Sequence, residues 1–73
     1  MAKLLIHAWT IHKANGEYYL PYTHWIYLKE IAKYYETISL LSPSKQNKLA
    51  EQEGLLAISS IGNINVYELP YSD

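Results

Sequence analysis

The stretch HKANGEYYLPYTHW, residues 12–25, decides how this chain is read. Before it lies an apolar run, LLIHAWTI, residues 4–11, which reads as a strand. After it comes WIYLKEIAKYY, residues 25–35, which reads as a helix. Between them stand Asn15-Gly16, three tyrosines (Tyr18, Tyr19 and Tyr22) and two histidines (His12 and His24). Asn-Gly is the favoured pair for a two-residue hairpin turn, with TIHKA and EYYLP free to pair briefly on either side. The alternative is a ligand loop. The segment exceeds the usual 2–6 residues between a strand and a helix, and Gly16 permits a positive φ or close approach to a ligand.

Outward from this stretch, the apolar run 3–10 is nearly continuous, as in a strand of a parallel sheet covered on both faces. His7 interrupts it, and the commoner role of such a histidine is a hydrogen-bonded core or strand-end residue. On the other side, Trp25, Leu28, Ala32 and Tyr35 recur at spacings of 3, 4 and 3, one face of a helix. Thr23 has the hydroxyl of a helix N-cap. Such an aromatic stripe is usually core. TISLLSP, residues 37–43, reads as a second strand ended by Pro43, which lacks a ladder donor. Residues 44–54 are polar and tolerate one or two helical turns. LLAISSI, residues 55–61, is ambiguous between strand and buried helix, Gly62-Asn63 marks a turn, and INVYELP, residues 64–70, is a last strand.

The order strand, long loop, helix, strand, polar segment, strand predicts an α/β fold: the β-α-β start of a parallel, Rossmann-like sheet, incomplete in this chain. Residues 1–73 form a single partial domain, with no internal repeat or linker. A domain this small buries only about 60% of its unfolded surface, yet 49% of the residues are hydrophobic. Either the core is dense or apolar surface awaits a partner.

Composition excludes several function classes. There is no cysteine, hence no disulfide and no thiolate zinc site. The net charge is −1, and all six basic residues are lysines. Nucleic-acid binders ordinarily carry a basic surface with arginine forks, so no nucleic-acid role is expected. No apolar run approaches the ~20 residues of a membrane span. The amino terminus lacks the long apolar region and small-residue cleavage site of a signal peptide. A cytoplasmic chain is expected. The P-loop, the complete G-x-G-x-x-G fingerprint, G-x-S-x-G and H-E-x-x-H are all missing. No carboxylate pair for glycoside hydrolysis is visible. His12, His24 and Glu17 have the chemistry of a general base, but each is more commonly a solvated loop residue, and no catalytic residue is assigned.

One resemblance covers most of the chain. A first strand, a loop with Gly16, a helix THWIYLKEIAKYYE with Leu28 and Ala32 at its apolar positions, and a strand TISLLSP resemble the start of GT-B glycosyltransferases. INVYELPY is similar to the third strand of many bacterial members. The chain departs from that pattern in having one loop glycine rather than a pair, and in lacking the glycine-histidine turn before the second strand. The resemblance implies an amino-terminal, acceptor-side part of an enzyme that moves a sugar from a nucleotide-sugar donor to a glycan or lipid-linked acceptor. It places acceptor contacts at His12, Asn15, Gly16, Glu17, Tyr18, Tyr19, Tyr22 and His24. It implies no metal or cofactor in this chain, a donor held by a missing carboxyl-terminal domain, and a cytoplasmic location peripheral to the inner membrane. A chain of this kind is expected to be inactive alone and to need the missing domain or self-association. The alternative is a small, non-catalytic α/β interaction or assembly module, using the same aromatics against a protein partner.

Overall fold

A computed structural model describes residues 2–70. The chain is mixed α/β. Strands β1 (Lys3–His7), β2 (Ile11–Ala14) and β3 (Glu17–Leu20) precede helix α1 (Tyr22–Ala32). Then come β4 (Thr37–Gln46), β5 (Leu56–Ala57), a 3₁₀ turn (Ile58–Ser60) and β6 (Ile64–Leu69). All six strands join one mixed sheet.

The ten-residue strand β4 organises it. Its first part lies between β1 and β6, both parallel to it, with Ile38 opposite Leu4 and Ile64, and Leu40 opposite Ile6 and Val66. Its last residues pair in parallel with β2, Ile11 opposite Ser44. β2 turns back antiparallel into β3, and β3 pairs antiparallel with β5. The expected parallel β-α-β unit is therefore present, but the sheet as a whole is not parallel.

The segment expected to be a long loop is a hairpin. Asn15 (φ 52) and Gly16 (φ 77) both take left-handed backbone, as a two-residue type I′ turn requires. Pro21, extended at φ −58 and ψ 154, is the N-cap of α1, and it makes no side-chain cap bond. Thr23 lies inside the first turn and does not cap it. The first helical bond runs from Trp25 N to Pro21 O at 2.9 Å. At the far end, Asn63 Nδ2 donates to Ala32 O and Tyr35 O, both at 3.0 Å, satisfying carbonyls that a helix end leaves open.

Pro43 does not end its strand, and the reason lies in β1 and β2. These two run in one direction beside β4 but out of step. Between the pairs His7–Leu41 and Ile11–Ser44, three residues (Ala8, Trp9, Thr10) stand against two (Ser42, Pro43), the count of a bulge. Trp9 takes φ 62 there, rare for so bulky a residue. Ile38 N donates to Asn63 O, toward β6, whereas Asn47 N donates to Lys13 O, toward β2. Backbone groups alternate sides along a strand, so Pro43 faces the broken stretch between β1 and β2. Its missing N–H costs no ladder bond there.

The even-numbered side chains of β4 form the core with α1. Ile11, Leu20, Leu28, Ile38 and Leu40 are fully buried and Ile58 nearly so. Each such side chain contributes about 1.5–3 kcal/mol of apolar burial. Trp25, Ile31, Ile64 and Val66 pack around them. A satellite cluster of Ala14, Tyr19 and Ala50 lies under the turns of residues 47–55. Among the described residues no element packs on the opposite face of β1, β4 and β6: Leu5 is 65% exposed and Tyr67 53%.

Candidate functional site

Strand alternation splits the hairpin residues. Lys13 stands opposite Tyr18, and His12 opposite Tyr19, so the two pairs project to opposite faces.

On the helix side, a polar network joins the hairpin to the carboxyl ends of β4 and β6. Glu68 Oε2 accepts from the Tyr18 hydroxyl at 2.8 Å and from Lys13 Nζ at 3.1 Å. Glu68 Oε1 accepts from the Ser44 hydroxyl. Lys13 Nζ also lies 5.5 Å from the centroid of the Tyr18 ring. The Ser44, Tyr18 and Lys13 donors, in that order, pull the Glu68 carboxyl down to about 2. At neutral pH it is an ionised acceptor already holding three donors, hence neither a general acid nor a strong base. The same bond to Glu68 raises both Lys13 and Tyr18 above their ordinary values. Beside it, Glu17 and Tyr18 border a small cavity of about 180 Å³ with Ile58, Asn65 and Val66.

Beyond the carboxyl end of β1 lies an aromatic group. The ring of His24, in the first turn of α1, stacks on Trp9 at 4.9 Å and 13°. Tyr27, one helical turn on, meets Trp9 edge-on at 6.0 Å. His24 Nδ1 is buried without a hydrogen-bond partner among the described residues. Buried polar atoms are nearly always paired, so an orphan next to a strained Trp9 marks a place where packing has overridden local preference.

On the other side, Asn47 Nδ2 donates to His12 Nδ1 at 3.3 Å and to Glu53 Oε1 at 2.7 Å. An amide nitrogen only donates, so His12 Nδ1 is the acceptor in this contact. Tyr19 is buried, and desolvation raises its phenol, with the carboxylates of Glu51 and Glu17 adding to the effect.

The eight residues expected at an acceptor site thus do not converge. Tyr18 belongs to the Glu68 network, Glu17 borders the small cavity beside it, and His24 belongs to the aromatic group. His12 and Tyr19 are engaged on the opposite face. Asn15 and Gly16 form the exposed turn tip, and Tyr22 is 60% exposed beside Trp25. Sequence reading missed Lys13, Ser44 and Glu68, because only the register of three strands brings them together. It also missed Trp9, whose position at a strand end was the available signal. Among the described residues no three His, Asp or Glu side chains gather as metal ligands. No helix among them is long and apolar enough to cross a membrane.

Compared with protein-family models, curated proteins and solved structures, the chain matches none.

Proposed function

We propose that this chain is the acceptor-side opening part of a GT-B-like glycosyltransferase, completed by a donor-binding domain outside these residues. One observation carries the reading. Polar and aromatic side chains lie toward the carboxyl ends of three parallel strands: Trp9 beyond β1, Ser44 on β4 and Glu68 on β6. In open α/β sheets, ligands sit beyond the carboxyl ends of the strands. Aromatic faces with hydroxyl and carboxylate acceptors suit a sugar, which has apolar faces and a rim of hydroxyl groups. In this reading Trp9 and Tyr27 give stacking surface, Tyr18 and Glu68 exchange hydrogen bonds with sugar hydroxyls, and His24 orients Trp9. The nucleotide-sugar donor belongs to the other domain. A lipid-linked acceptor would hold the assembly at the cytoplasmic side of the inner membrane.

Titrating the isotopically labelled chain with oligosaccharides and following amide and indole resonances tests the proposal. Expected are progressive shifts at Trp9, Tyr18, Tyr27 and Glu68. Unmoved resonances at these four positions across a panel of neutral and acidic glycans would sink it.

A second reading, a non-catalytic α/β assembly module, is favoured by one specific observation: the bare face of β1, β4 and β6, with Leu5 and Tyr67 more than half exposed.

A further inference from the structure

The face of β1, β4 and β6 turned away from α1 has an apolar centre. Leu41 stands opposite His7 and Tyr67, and Pro43 opposite Leu69. Leu5 is 65% exposed and Tyr67 53%. Parallel strands are ordinarily covered on both faces, because their crossovers lay helices there. Here α1 and the 3₁₀ turn both pack on the same side, against Ile38, Leu40, Ile64 and Val66.

Along β1, β4 and β6 themselves the charges on this face are of one sign; the nearest described carboxylate, Glu53, is held by Asn47 beside His12, the register partner of Lys45. Strand alternation places Lys3 at the amino end of β1 and Lys45 at the carboxyl end of β4 on it, both exposed. The other side chains of β1, β4 and β6 that project there are His7, Thr37, Ser39 and Asn65 with the apolar residues named. No Asp or Glu of these strands does so, since Glu68 projects to the helix side with Ser44. A second copy laid face to face would set lysines against lysines.

The dimensions favour a helix. Three strands about 4.8 Å apart make a strip about 10 Å wide, the diameter of one helix. From Thr37 to Pro43 the strip runs about 20 Å, the length of about thirteen helical residues.

We propose that this face docks one amphipathic helix of a partner, with an apolar stripe over Leu5, Leu41 and Tyr67 and carboxylates near both ends, against Lys3 and Lys45. The inference does not depend on the glycosyltransferase reading.

Two synthetic helical peptides test it on the full chain. Both carry leucines at helical spacing, and their ends carry glutamates in one and lysines in the other. The glutamate peptide is expected to bind at least about tenfold more tightly at low salt, with the preference shrinking as salt rises. Leu5→Glu and Tyr67→Glu, at exposed positions and checked for folding by circular dichroism, should each abolish that binding. The double variant Lys3→Glu with Lys45→Glu should prefer the lysine peptide. Equal binding of the two peptides, or binding of neither, would overturn the proposal. So would a dimer in sedimentation that Leu5→Glu dissociates, because the occupant would then be a second copy.

Discussion

The Tyr18 hydroxyl donates to Glu68 Oε2 at 2.8 Å and ties the β2–β3 hairpin to the last strand across fifty residues of chain. Lys13 and Ser44 converge on the same carboxylate. If this network holds the hairpin in place, Tyr18→Phe removes one donor and keeps the ring. We expect the melting temperature to fall by about 2–5 °C. Glu68→Gln, which loses the charge that all three donors address, should cost more. Thermal unfolding followed by circular dichroism decides; equal stability of all three proteins would mean the network is idle.

The network also sets a pH window. The Glu68 carboxyl is held at about 2 against an ordinary 4.5. A depressed carboxyl stabilises the folded state above its ordinary value, and that contribution is lost as pH falls from 4.5 toward 2. Lys13 and Tyr18 are raised from 10.5 and 10.0, chiefly by the bond to Glu68. Their contributions are complete below those values and are lost as pH rises through them. The stability gap between the protein and Glu68→Gln should therefore be flat from about pH 5 to about pH 9 and narrow at both ends. A gap independent of pH between 2 and 5 would contradict the lowered carboxyl.

Gly16 tests whether the turn is geometry or binding surface. Its φ is 77, and a Cβ added there meets nothing within 4 Å. Gly16→Ala thus costs only backbone strain, about 1–2 kcal/mol. Urea unfolding should show this loss, whereas Asn15→Gly, which keeps the turn accessible to positive φ, should change stability by far less. A Gly16→Ala protein as stable as its parent would argue against the type I′ hairpin.

Leu28, on the inner face of α1, is fully buried in the cluster that also holds Ile38 and Leu40. Leu28→Ala should cost about 2–5 kcal/mol, a large share of the total for a domain of this size. Loss of cooperative melting is the expected result. A shift smaller than that of Tyr18→Phe would show that the core is not where stability resides.

The chain alone should transfer no sugar. Transfer requires stabilisation of a leaving diphosphate, usually by basic residues or a metal. The chain has no arginine, and the Lys13 ammonium is already engaged by Glu68. Turnover with any of a panel of nucleotide sugars would contradict the view that the donor site lies elsewhere.

By itself the sequence determined the local elements. Apolar runs placed β1, the start of β4 and β6; the spacing of Trp25, Leu28 and Ala32 placed α1; Asn15-Gly16 offered the turn. These depend on side-chain periodicity and on the φ preferences of single residues, which neighbours in sequence reveal. Only the tertiary structure decided the rest. That the hairpin of residues 11–20 joins the sheet depends on β4 continuing past Pro43 to receive β2. That continuation depends in turn on a bulge at Trp9, on another strand. The convergence of Lys13, Tyr18, Ser44 and Glu68 follows from register between strands far apart in the chain. Periodicity tells which side chains share a face, but not which strand lies next to which, because pairing is settled by long-range packing against α1.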